Sequence, residues 1–180
     1  MNLNELNGTY VLDPTHTTLS FVTRHAMVTK VRGSFEEFEG QAVVDGANPG
    51  NTTLEVKINP ASVNTRNADR DNHVRSADFF DVDNYPVWTF KGTDFAVNGD
   101  VVEVTGDLTI KDTTKSITIP LEYQGAAQDP FGNMRVGFEG STQVSRADFG
   151  LTWNAALETG VFLVYDKITL EFEISAIQQA

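Results

Sequence analysis

Apolar side chains fall on every second position through most of this chain. Val102, Val104, Leu108 and Ile110 keep one parity, and so do Ile168, Leu170, Phe172 and Ile174. Strand side chains alternate between faces, so each such run presents one greasy face and one polar face. A long series of these runs, joined by polar turns, buries its greasy faces by curling them inward. The pattern predicts an all-β, closed antiparallel barrel, a fold whose interior is either filled by side chains or holds one small ligand.

The individual runs set the expected elements. Thr9 to Asp13 forms a first strand stopped by Pro14, and the next places Leu19, Phe21, Thr23 and His25 on one face, with Ser20, Val22 and Arg24 on the other. From Val31 to Asp45 the parity changes between Phe35 and Phe38; with Gly33 and Gly40 close by, this predicts a bulge or bend. Thr53 to Ile58 alternates cleanly until Pro60 breaks it, and Val63 and Thr65 extend it. Asn67 to Ala77 loses the alternation and opens on capping residues, which predicts a short helix. Trp88 and Phe90 resume the strand pattern, Asn98-Gly99-Asp100 marks a hairpin, and strands follow at Val101–Lys111, Ile117–Tyr123, Val136–Val144 and Lys167–Ala176.

Composition narrows the partners. A formal net charge of -12 lacks the basic footprint that nucleic acid and anionic headgroups require, so nucleic acid is not an expected partner. There is no cysteine, hence no disulfide and no thiolate chemistry. No run approaches the roughly 18 apolar residues of a membrane-spanning helix, so stable membrane insertion is not expected. Met1 to Gly8 has neither a basic nor an apolar leader segment, and the expected location is cytoplasmic; a periplasmic or secreted one would need a leader already removed.

Three histidines are the candidates for chemistry. His16 and His25 are nine positions apart, roughly 30 Å if extended at about 3.3 Å per residue, and His73 lies on the expected helix without a second histidine one turn away. No metal site or cofactor is expected. His25, on the parity of Leu19 and Phe21, reads either as a core histidine bonded to backbone or as a polar handle inside a cavity. His16 reads as a turn residue. The acidic pairs Asp69/Asp71 and Asp78/Asp81 read as capping or solvated charge, and Arg70 and Arg75 as members of a network pinning the helix to the barrel. Nucleophile-elbow, phosphate-loop and dinucleotide signatures are absent.

Several segments together resemble the YceI-like family. They are Asp13-Pro14-Thr15-His16, Arg24-His25, Val31-Arg32-Gly33-Ser34-Phe35, the run Arg70 to Asp81 with Tyr85-Pro86, Gly106-Asp107-Leu108-Thr109-Ile110, and Arg146-Ala147-Asp148-Phe149-Gly150-Leu151-Thr152-Trp153-Asn154. The resemblance implies an extended eight-stranded antiparallel lipocalin-like barrel with one or two short helices, over a single domain at 9–178 preceded by an extension at 1–8. It also implies carriage, without catalysis, of a polyprenoid such as an isoprenoid quinone, or of another long-chain amphiphile. By parity Phe21, His25, Phe35, Leu54, Ile58, Trp88, Phe90, Leu108, Ile110 and Phe138 would line the pore. Phe79, Phe80, Phe149, Trp153 and Phe162 would form its mouth or close its ends.

A chain of about forty carbons at roughly 0.3 kcal/mol per heavy atom gains on the order of 12 kcal/mol. Two other readings stand beside carriage. One is a cofactor-free hydrolase or isomerase using His25 with a carboxylate in the pore. The other is a filled barrel whose Phe79, Phe80 and Phe162 contact a partner; a homodimer is left open.

Overall fold

The computed structural model describes residues 1–155 and 164–180. Its strands are β1 (Asn7–Leu12), β2 (Thr18–His25), β3 (Thr29–Phe35), β4 (Phe38–Asp45), β5 (Thr53–Ile58), β6 (Val63–Asn64), β7 (Trp88–Asn98), β8 (Val101–Ile110), β9 (Thr113–Gln128), β10 (Met134–Ser145) and β11 (Lys167–Gln178). One α-helix, α1 (Ala68–Arg75), sits between β6 and β7.

The strands form eight staves. β11 pairs along one edge first with β2, through Thr169–Glu173, and then with β1, through Ala176–Gln178. β1 and β2 are therefore a single stave interrupted at Asp13–Thr17. β3 and β4 pair with β2 and β1 in turn, and β6 and β5 with β3 and β4, giving two more interrupted staves. β7 to β11 are continuous, each paired antiparallel with the next, and the β1–β11 pairing closes the ring. The result is the closed antiparallel barrel that the alternation predicts, with the eight strands that the family resemblance implies.

Local chemistry explains the interruptions. Pro14 and Pro60 cannot donate to a ladder, and the chain turns at both. The parity change lies at Glu36–Glu37, between β3 and β4. Gly33 and Gly40, which flank this bend, also leave space: a Cβ at Gly33 would collide with the Phe21 ring on β2, and one at Gly40 with Leu12 on β1. These glycines make room for inward side chains of the neighbouring stave.

The helix begins where expected, with the Asn67 side chain accepting from the Arg70 backbone N–H at 2.9 Å. It is pinned mainly through backbone groups. Arg70 donates to the Thr65 hydroxyl and carbonyl, and Arg75 donates to the carbonyls of Ala61 and Val63. Buried Asp71 accepts from the Thr65 N–H and hydroxyl, so the expected network exists but joins side chains to backbone more than charge to charge.

Among the described residues the core forms two separate clusters. The larger, at the end carrying α1, contains Phe35, Val63, Phe80, Trp88, Phe90, Val104, Leu108, Ile110, Ile119, Phe149 and Leu151. The smaller, at the opposite end, contains Leu6, Tyr10, Val136 and Ala176. The N-terminal segment set apart in the sequence reading supplies part of it: Leu3–Glu5 form a 3-10 turn, and Leu6 is only 3% exposed. No described helix is long and apolar enough to cross a membrane.

Candidate ligand-binding site

An apolar cavity of about 260 Å³ lies within the barrel, lined by residues of both core clusters. Val102 and Ile110, eight residues apart on β8, both line it, so it runs roughly 25 Å along that strand. Spread over that length, the volume makes the bore long and narrow.

The bore is blind at the helix end. Trp88 meets Phe80 edge-on with ring centroids 4.6 Å apart, and meets Phe35 at 5.2 Å. Phe149 and Val63, 2% and 1% exposed, belong to the same plug. At the other end the lining includes exposed Val97 and half-buried Leu3, Asp45, Pro49 and Thr52. The mouth therefore lies between the N-terminal turn, the β4–β5 loop and the β7–β8 hairpin.

Eight of the ten pore residues named from sequence line this cavity: Phe35, Leu54, Ile58, Trp88, Phe90, Leu108, Ile110 and Phe138. Phe21 packs against Phe35 at 5.8 Å but lies outside the lining. His25 is exposed and also outside it, paired with Val164 at the far tip of β2. Parity assigns His25 a side, but β2 carries it beyond the end of the bore. Among the described residues no histidine lines the cavity and Asp45 is the one carboxylate that does, so His25, itself outside the lining, does not supply the base of the hydrolase reading there.

The residues read as mouth or end closure gather at the blind end. Phe80 and Phe149 are core. Phe79 and Trp153 form a ring triad with His73, centroids 4.7 to 5.2 Å apart, and His73 Nε2 lies 2.9 Å from the Asp78 carboxylate. Phe162 lies outside the described residues. Leu3 and Leu6, which carry no strand periodicity, also line the cavity, as do Tyr10, Leu12 and Phe95, whose alternation is visible in the sequence.

Two polar clamps hold the ends. Arg146, 6% exposed, donates to the carbonyls of Leu151 and Trp153 on one side of the 156–163 segment, and to those of Val164 and Tyr165 on the other. Near the mouth, Arg135 bridges Asp13 and Asp129. Burial pushes the Asp13 carboxyl up, yet hydrogen bonds from Thr15, Arg135 and His16 outweigh it and hold the group well below the carboxylate range. Burial likewise pushes Asp129 up, and the Asn133 and Phe131 backbone N–H groups, with Arg135 and the Asn133 side chain, bring it down to about 2.

Charge divides between the ends. Arg24, Lys30, Arg32, Arg66, Arg70, Arg75, Lys111, Lys115, Arg146 and Lys167 all lie toward the helix end, interleaved with the aspartates of α1 and its flanks. Around the mouth are Glu5, Asp45, Asp94, Asp100, Glu103 and Glu122, and the nearby Arg135 is already held between two aspartates. Among the described residues, no group of three or more His, Asp or Glu side chains is arranged to hold a metal ion.

The family model for the YceI-like domain matches residues 10–176. The chain belongs to the YceI-like family. UPF0312 proteins of Vibrio cholerae and Pseudomonas aeruginosa are each 39% identical to it, over 79% and 76% of this chain and 77% and 71% of theirs. Among solved structures, the Campylobacter jejuni YceI protein is 30% identical with a TM-score of 0.74, covering 87% of this chain and 90% of that one. BcnA of Burkholderia cenocepacia shares the fold at 24% identity and a TM-score of 0.80, over 91% and 98% of the two chains. A polyisoprenoid binding domain from Saccharophagus degradans, implicated in plant cell wall breakdown, shares it at 20% identity and 0.74, over 94% and 98%. This YceI-like barrel thus shares its fold with these solved structures.

Proposed function

We propose that the protein carries or sequesters one polyisoprenoid, or another long single-chain amphiphile, with its tail in the bore and its head at the mouth. The observation that supports this most is the shape of the cavity: long, narrow, apolar, blind at one end. Its volume of about 260 Å³ exceeds the ~150 Å³ at which engineered apolar cavities already admit benzene. An extended hydrocarbon exchanges water for that lining at about 25 cal/mol per Å² of apolar area, so affinity should follow chain length more than head-group identity among uncharged heads. The polyisoprenoid binding of the Saccharophagus degradans domain lends its ligand class to this reading. No chemical step is part of it.

Native mass spectrometry after gentle purification, followed by titration with isoprenoid quinones and long-chain alcohols, tests the proposal. A one-to-one complex is the expected result. A protein recovered empty that takes up none of these ligands overturns it. Leu108→Glu, placing a carboxylate at a wall position only 6% exposed, should abolish uptake. Its folding is followed in parallel by circular dichroism.

A further inference from the structure

Resting on the carrier reading, we infer that the mouth selects by charge: the bore takes amphiphiles with an uncharged head and rejects those headed by phosphate or carboxylate. Among the described residues none lining the cavity is a lysine, arginine or histidine, and the undescribed segment 156–163 contains none of these in its sequence. The polar members of the lining are Tyr10, Ser20, Gln41, Thr52 and Trp88, all neutral, and Asp45.

Asp45 sits on the rim. Its carboxylate accepts from the Asn51 side chain at 3.2 Å and the Asn48 backbone N–H at 3.0 Å, which keeps it ionised. Those bonds, Asn51 first, also lower its pKa. Asp45 faces Asn7 in the β1–β4 ladder, and Tyr10 lies three residues deeper, roughly 10 Å at about 3.3 Å per residue. Burial raises the Tyr10 hydroxyl pKa, so the neck holds a neutral phenol able to donate to a carbonyl or hydroxyl head.

An anionic head at this depth meets the acidic rim with no counter-ion inside it. Like charge and desolvation act together against it. An uncharged head escapes both penalties.

The test is displacement of a fluorescent long-chain alcohol by 1-hexadecanol and by hexadecyl phosphate, two ligands with the same tail. Hexadecanol should compete, and hexadecyl phosphate should be weaker by at least ~10-fold at low ionic strength. The gap should narrow in high salt and in Val97→Lys, which sets a cation at a mouth position already 45% exposed. Equal competition by the two ligands in the unaltered protein overturns the selection and leaves the carrier reading standing. A gap that neither salt nor Val97→Lys changes overturns its placement at the mouth. Competition by neither ligand overturns carriage itself.

Discussion

The two ends of this barrel are built on opposite plans. At the helix end the wall is sealed twice, by the rings of Phe35, Phe80 and Trp88 and by the Phe149 behind them, while Arg146 and Arg75 satisfy the carbonyls of the covering loops. At the mouth the seal is one 3-10 turn carrying Leu3 and Leu6. It is held by contacts such as the Gly46 N–H to the Leu6 carbonyl at 2.8 Å and the Tyr123 hydroxyl to the Met1 carbonyl at 2.9 Å. One end carries the dense packing and the other, on the carrier reading, is where a ligand would enter the buried bore.

Substitutions should separate the two plans. Phe149→Ala, in the sealed end and 2% exposed, should cost about 3–5 kcal/mol, read from the denaturation midpoint. Gly106→Ala should cost about 1–3 kcal/mol by the same measurement, because its Cβ would meet the Phe90 ring and stand 2.6 Å from the Lys91 carbonyl oxygen.

The mouth-side clamp should show itself through pH. Asp129 titrates lower in the folded protein than in the unfolded chain, so its contribution is present at neutral pH and lost as pH falls from about 4 to about 2. Asp129→Asn should have a lower Tm at pH 7 and a flatter Tm profile across that window. At the rim itself, Val97→Ser should change stability by less than about 0.5 kcal/mol. A large loss there would erase the distinction between the ends.

Much of the barrel is legible in the residues because a period of two is a direct record of facing. Leu54, Ile58, Phe90, Leu108 and Phe138 reach the bore as their parity requires. Depth along the barrel axis leaves no such record. His25 shares the parity of Leu19, yet β2 runs on past the cavity and leaves it exposed. Val22, on the other parity, is buried all the same, at 8% exposure. Leu3 and Leu6 were illegible for the converse reason: a 3-10 turn capping a mouth has no strand period, and its burial depends on the β4–β5 loop it meets. The break at Glu36–Glu37 was visible as a change of parity, and the structure adds that the nearby Gly33 and Gly40 serve as hollows.

Those hollows bear on how the family can vary. Phe90, Phe95 and Leu12 all line the bore, and each lies over a glycine, at Gly106, Gly92 and Gly40, where a methyl group would collide with it. Large side chains stowed flat along the wall leave the calibre of the channel to local pairings of one bulky residue with one hollow. Exchanging such a pair could widen or pinch the passage at a chosen height while every ladder stays in register, so the calibre of the bore can be retuned on one scaffold.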